Sequence, residues 1–288
     1  MRWFTLPQRR FLRCLSVTLL WGAGFSPVLA ASPSTGPAAT VDLADLTTTE
    51  LQARQQAGVD TVLVPIGGTE QSGPHMALGK HNVRAHFLAD EIARGWGRAV
   101  VAPVQAYVPE GTVTPPQGHM RFTGTISIPT PVFEGLLEGT ARSFRQHGFR
   151  HIVFLGDHGG YQHSLEAVAK RLNKEWKGGA GGPAVIALTE YYRAAEDFDG
   201  MLKAQGFSEA EIGLHAGLAD TALMMAVDPS LVRVDRLRAA GVDQGADGVR
   251  GQPARATSAL GQPGIRHIID TSVAALRAQL PSPSTPSR

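Results

Sequence analysis

Cysteine is almost missing from this chain: the one thiol, Cys14, falls within its first fifteen residues. Downstream of it, disulfides, thiolate metal ligands and thiol catalysis are excluded. Aromatic residues are sparse at 7%, whereas 33 glycines and 19 prolines point to many turns between short strands and helices. There is no internal repeat, no coiled-coil heptad and no nucleotide-binding glycine motif. Nor is there an apolar run long and unbroken enough to span a bilayer comfortably. What is present is an ordinary globular balance, 43% hydrophobic and 18% charged over 288 residues, enough for one large domain or two small ones.

The first thirty residues read as an export signal. Arg2, Arg9, Arg10 and Arg13 form a basic leader, residues 15–25 are mostly apolar, and Val28-Leu29-Ala30 before Ala31 resembles a small-residue cleavage site. Glycine and proline interrupt the apolar part, so cleavage is expected rather than a permanent membrane anchor. Arg9-Arg10 is similar to a twin-arginine pair but lacks the usual spacer, which leaves the Sec and Tat routes both open. The expected location is periplasmic or secreted. Cleavage removes Cys14 and four arginines, and no acidic residue precedes Asp42, so the formal charge falls from +2 to −2. The basic balance therefore belongs to the leader, and no nucleic-acid partner is expected.

Residues 31–41 read as a disordered linker, 42–280 as a single domain and 281–288 as a frayed tail. Within the domain, strands are expected at 62–66, 99–102, 122–128, 152–155 and 185–188. Helices are expected at 45–57, 83–94, 130–147, 164–176, 212–227 and 265–279, with Thr130 as an N-cap and Gly148 as a stop. Such alternation implies an α/β fold whose mostly parallel sheet is covered by helices on both faces. The loop at 103–118 is rich in proline and glycine, and a loop of that length inside a compact domain is usually functional or mobile.

Sites in sheets of this kind form beyond the carboxyl ends of the strands. The strand at 62–66 breaks at Gly67-Gly68 into a polar stretch holding Glu70, Gln71, Ser72, His75 and His81. The strand at 152–155 runs into Gly156-Asp157-His158-Gly159-Gly160. Glu70 and His158 can thus converge although distant in sequence.

Three segments, TEQSGPHMAL at 69–78, GDHGG at 156–160 and HAGLADT at 215–221, resemble the creatininase family. HMRFTGTIS at 119–127 and GVRGQP at 248–253 support the likeness, which extends from about residue 45 to 280. The resemblance implies a three-layer α/β/α domain, a homo-oligomer (often a hexamer) and metal-dependent hydrolysis of C–N bonds in small cyclic or formylated amides. It puts a metal-binding carboxylate at Glu70, a histidine ligand at His158 and a proton-transfer histidine at His215. It also puts a histidine ligand at position 72 and a metal-bridging aspartate at position 81, where this chain has Ser72 and His81. The family's glutamate of the third segment is replaced by Asp220.

Without the bridging carboxylate and one imidazole, a second dication is hard to hold. The resemblance then implies one ion on Glu70, His81 and His158, most simply Zn²⁺, with iron or manganese compatible with the same ligands. Such an ion brings the pKa of its water down to about 7, and the resulting hydroxide would attack an amide carbon while His215 protonates the leaving nitrogen. Asp220 would cap its helix or orient a ligand imidazole. His75 and His119 would line the substrate pocket or be hydrogen-bonded structural groups. The expected partner is a small-molecule substrate, with no stable membrane anchor once the signal is gone. Two other readings stay open, a non-catalytic descendant that binds a small ligand in the same pocket and a peptide-cleaving enzyme.

Overall fold

Four short strands line up in the order β2-β1-β3-β4, all parallel: β1 Thr61–Ile66, β2 Ala99–Val101, β3 His151–Gly156 and β4 Val185–Ala187. The structure, a computed structural model, describes residues 40–177, 184–241 and 246–280. The expected signal segment and tail lie outside those residues, as does most of the expected linker. Val41 is described, and its carbonyl accepts the Val101 amide at 2.8 Å beside β2.

β1 and β3 are buried at every position, as near-continuous apolar runs between two helical layers must be. The two-residue period of the strands then assigns the layers. Val62, Val64, Ile66, Ile152 and Phe154 face one way, onto Phe133 and Leu137 of α3 (Thr130–Gln146) and Leu165 and Val168 of α4 (Gln162–Glu175). Leu63, Val153 and Leu155 face the other way. There they meet α2 (Lys80–Trp96), α5 (Thr189–Ala204), α7 (Leu218–Val227) and α8 (Ser258–Gln279). The remaining helices are α1 (Thr48–Gln56), closed by a Thr47–Glu50 capping box, and the single turn α6 (Glu209–Ile212). The result is the expected three-layer α/β/α arrangement.

Several local expectations need correction. The helix expected at 212–227 is broken, since α6 ends at Ile212 with Gly213 at φ +72 and α7 starts only at Leu218, leaving His215 in the turn between them. Residues 122–128 are not a strand. Gly124 turns the chain at φ +95, and the segment is held by isolated bonds rather than a ladder. These run from Ile126 N to Thr69 O and Ile128 N to Val108 O on the backbone, and from Gln71 N to Thr125 Oγ1 and Glu110 N to Ser127 Oγ on side chains. A β-branched pattern without a strand edge beside it makes no ladder. α5 went unread, although Tyr191, Ala194, Phe198 and Leu202 repeat at helical spacing on its buried face. Thr130 is the first helical residue rather than the cap, which is Pro129 with no side-chain bond.

α8 packs on α7 and α5 through two small residues. A methyl group at Gly261 would sit 1.9 Å from the Ala222 carbonyl oxygen of α7, and one at Gly264 would meet Phe198 and Leu223. The obstruction at Gly261 is backbone, which cannot step aside as a flexible side chain can. Gly261→Ala is expected to destabilise the protein by about 1–3 kcal/mol. Chemical denaturation measures this, and an unchanged midpoint would show that the helices are not in close contact.

Candidate metal centre

Beyond β1 the chain needs room to turn back across the sheet edge, and two glycines provide it. A side chain at Gly67 would collide with Asn82 of α2 at 2.2 Å, and Gly68 takes φ +150 with Glu110 Oε1 2.5 Å from where a Cβ would lie. Asn82 Oδ1 accepts the Gly68 amide, and the Tyr161 hydroxyl donates to the carbonyls of Ile66 and Gly67. The same hydroxyl accepts the His158 amide at 3.1 Å, so one phenol pins the ends of β1 and β3 side by side. This is how Glu70 and His158 come together.

The long loop at 103–118 supplies the other half. The His119 amide donates to the Glu110 carbonyl at 3.2 Å, closing the loop on itself, while the Glu110 amide donates to Ser127 Oγ. Glu110 and His119 therefore arrive together. Glu70, Glu110, His119 and His158 each present a ligand atom, all within 4.8 Å of one another. His119 Nε2 is 3.1 Å and His158 Nε2 3.6 Å from Glu70 Oε2, and His158 Nε2 is 3.8 Å from Glu110 Oε2.

The donor set fits a divalent cation. Glu70 is 0% and Glu110 4% exposed, yet Glu70 Oε2 and both oxygens of Glu110 lack a hydrogen-bond donor. Buried carboxylate oxygens without donors are costly, and a cation between them and two imidazoles removes that cost. Without an ion, burial and then the nearby Glu70 push the Glu110 carboxyl up to about 8. Burial works against the Glu70 carboxylate too, but the His81 hydrogen bond and the charges of Lys80 and His81 outweigh it and hold Glu70 well below the usual range. Burial keeps His158 neutral, its pKa lowered to about 4. Its Nδ1 accepts the Gly160 amide at 3.0 Å, which puts the ring proton on Nε2, so ligation through Nε2 requires the other tautomer, with the proton on Nδ1 and the Gly160 bond released.

His81 stands behind Glu70 rather than among the four. Its Nε2 is 2.8 Å from Glu70 Oε1 and its Nδ1 2.6 Å from Asp157 Oδ2, so both ring nitrogens face carboxylates. Where the sequence reading placed one carboxylate and two imidazoles, Glu70, His81 and His158, the cluster holds His119 and Glu110 beside Glu70 and His158. His215 reaches the same place from the turn before α7, its Nδ1 3.7 Å from Glu70 Oε1. Its Nε2 donates to the Gln71 carbonyl at 2.9 Å, fixing the proton there and turning the Nδ1 lone pair toward the centre. Burial, then the Lys80 charge, lower its pKa to about 3. Asp220 touches none of the four groups but accepts from Lys80 Nζ, Arg84 and the Ala216 amide. His75 is fully buried, with Nε2 3.0 Å from the Thr221 hydroxyl.

A cleft of ≈ 230 Å³ opens beside the centre, between His158, His215 and Asp220 on one side and Tyr192 and Asp199 of α5 on the other. Glu110, Lys80 and Arg84 were not singled out from sequence. The signal available for Glu110 was an acid between Pro109 and Gly111 in a loop already marked as functional.

The raised carboxyl of Glu110 has a measurable pH signature. An unfolded glutamate titrates near 4.5, so between 4.5 and about 8 the folded ion-free protein holds the proton more tightly and stability falls as pH rises. The buried neutral imidazoles act in the opposite sense only below 6.5, whereas His81, which burial and Lys80 push down but the hydrogen bonds to Asp157 and Glu70 push up on balance, adds to the loss above 6.5. Thermal unfolding of ion-free protein is expected to show this loss, and Glu110→Gln to reduce its slope between pH 7 and 8 while weakening ion binding at least about 10-fold. Binding at pH 7 should release a proton, read by calorimetry in buffers of different ionisation heat. A flat stability profile in this window for the wild type would refute the assignment.

The family model described as "Creatininase: Creatinine amidohydrolase" matches residues 44–276. The chain is 31% identical over 214 residues to the mycofactocin precursor peptide peptidase of Mycolicibacterium smegmatis, covering 71% of this chain and 79% of that protein. It is 28% identical over 203 residues to the creatinine amidohydrolase of Pseudomonas putida, covering 69% and 76%. A crystal structure of creatinine amidohydrolase superposes with a TM-score of 0.67 at 23% identity, over 85% of this chain and 100% of that one. Solved creatininases of similar likeness include a Zn-Zn form and a Mn form. With a matching model over most of its length and the fold in agreement, this chain is a member of the creatininase family of amidohydrolases.

Proposed function

We propose that this protein is an exported hydrolase that cleaves a C–N bond of a small, possibly cyclic, amide with one divalent ion held by Glu70, Glu110, His119 and His158. The observation that carries the reading is the set of donorless buried carboxylate oxygens facing two imidazole nitrogens. Two carboxylates and two imidazoles suit Zn²⁺ well and also admit Mn²⁺ or Fe²⁺, in keeping with the zinc and manganese forms of related structures. When bound, the ion supplies Lewis acidity that polarises an amide carbonyl and acidifies water at neutral pH.

The chain's own groups do the rest. His215 is neutral at working pH and presents Nδ1 to the centre, so it takes a proton there from the attacking water and returns it to the leaving nitrogen. The Gln71 carbonyl keeps the ring in that tautomer. Asp220 holds Lys80 and Arg84 in place from behind. The cleft along α5 and α7 receives the substrate, and its size favours a small molecule. Export rests on the leader sequence alone, and a homo-oligomer is expected from the family resemblance.

A second reading is favoured by one observation, the 31% identity to a protein named as a peptide peptidase. In that case the scissile bond belongs to a short peptide. A panel of small cyclic and acyclic amides set against short peptides separates the two. Hydrolysis is expected to stop with a chelator, return with Zn²⁺ or Mn²⁺, and fall about 10²–10⁴-fold in kcat for His215→Ala. No metal-restored hydrolysis of any amide or peptide would leave a ligand-binding protein on the same fold.

A further inference from the structure

The two oxygens of Glu70 live in different surroundings. Oε2 faces His119, His158 and the Glu110 carboxylate, the side proposed above to hold an ion. Oε1 faces cation donors instead, His81 Nε2 at 2.8 Å and Lys80 Nζ at 3.6 Å, with the unprotonated Nδ1 of His215 no nearer than 3.7 Å. Lys80 is 0% exposed, an uncommon state for an ammonium group and one that persists only with charged partners. Its second partner is Asp220 Oδ2 at 3.1 Å.

Behind this side every acidic oxygen is already spoken for. Asp157 Oδ2 faces His81 Nδ1 and Arg84 Nε, and Asp157 Oδ1 accepts from Arg84 Nε and the Tyr191 hydroxyl. Asp220 Oδ1 accepts from Arg84, and Asp220 Oδ2 from Lys80 and the Ala216 amide. Lys80, His81 and Arg84 all project from the first turns of α2, so one helix delivers the nitrogen donors as a unit. Among the described residues, a divalent ion at Oε1 would find no carboxylate oxygen free of a donor on that side, and it would lie against an ammonium group that cannot withdraw to solvent.

We infer that Lys80, with His81 beside it, is the built-in cation on the inner side of the centre, where it satisfies Glu70 Oε1 and restricts the chain to a single ion. Lys80 is thus a positioning residue. It holds Glu70 turned so that only Oε2 serves the ion, and it closes the inner side to a second one. The inference rests on the ion reading of the Oε2 side but makes a separate claim about Oε1.

Equilibrating the full mature chain with excess Mn²⁺, then combining gel filtration, elemental analysis and electron paramagnetic resonance, tests it. One Mn²⁺ per chain with the spectrum of an isolated ion is expected. Two per chain with the spectrum of a coupled pair would overturn the inference while leaving the ion reading intact. No bound Mn²⁺ and no bound Zn²⁺ would defeat both. Lys80→Arg keeps the charge and is expected to retain one ion, whereas folded Lys80→Met/His81→Asp is expected to take up a second equivalent. A folded double variant that still binds one ion would also overturn it, because then the cations are not what excludes the second. Circular dichroism confirms folding, and if the double variant does not fold the wild-type stoichiometry decides.

Discussion

The rest of the site depends on burying one carboxylate, that of Glu70, with its two oxygens in unlike environments. A buried carboxylate must be compensated, and this fold does so from two directions. The first turns of α2 bring Lys80 and His81 to one oxygen, and loops beyond β2 and β3 bring imidazoles and a second acid to the other. Asp157 and Asp220 then balance Lys80, His81 and Arg84 in a closed network from which solvent is largely excluded. Removing one member of such a network leaves a charge unpaired in the interior, so its parts are interdependent.

That organisation explains why Glu110 matters. With Glu70 committed to the protein's own cations on one side, a lone carboxylate oxygen and two imidazoles would make a weak site for a dication. The second acid arrives on a loop whose closure, through the amide of His119 and the carbonyl of Glu110, couples these two groups mechanically. Glycine at position 68 is what allows that acid to approach Glu70 at all. Burial first, and then the nearby Glu70 charge, favour the protonated Glu110 carboxyl in the ion-free protein, so an ion bound there would have to displace a proton.

Much of the architecture was legible because it follows from short-range periodicity. The apolar runs of β1 and β3, the glycine breaks after them and the helical repeats of α2, α3 and α4 appear in the sequence at nearly their observed positions. Where reading failed, the missing ingredient was a neighbour. Residues 122–128 have strand-like composition but no edge to pair with, and the start of α8 was hidden by Pro263, which the helix accommodates. At the site, the placement of Glu70 and His158 past parallel strand ends follows from strand order, as does their meeting. The side on which His81 would stand does not follow, since a residue in the first turn of a helix can face either way until the helix is docked.

By itself the sequence determined the α/β class, the family motifs, the pairing of Glu70 with His158 and the departures at Ser72 and His81, all of which depend on residue identity and local spacing. Tertiary structure alone decided which groups surround each oxygen of Glu70. It placed Glu110 and His119 on the outer side and Lys80 and His81 on the inner, and it spent Asp220 on Lys80 and Arg84 rather than on a ligand. The physical reason is that charge compensation in a buried site is set by distances of a few ångströms between segments remote in the chain. No local pattern encodes those distances.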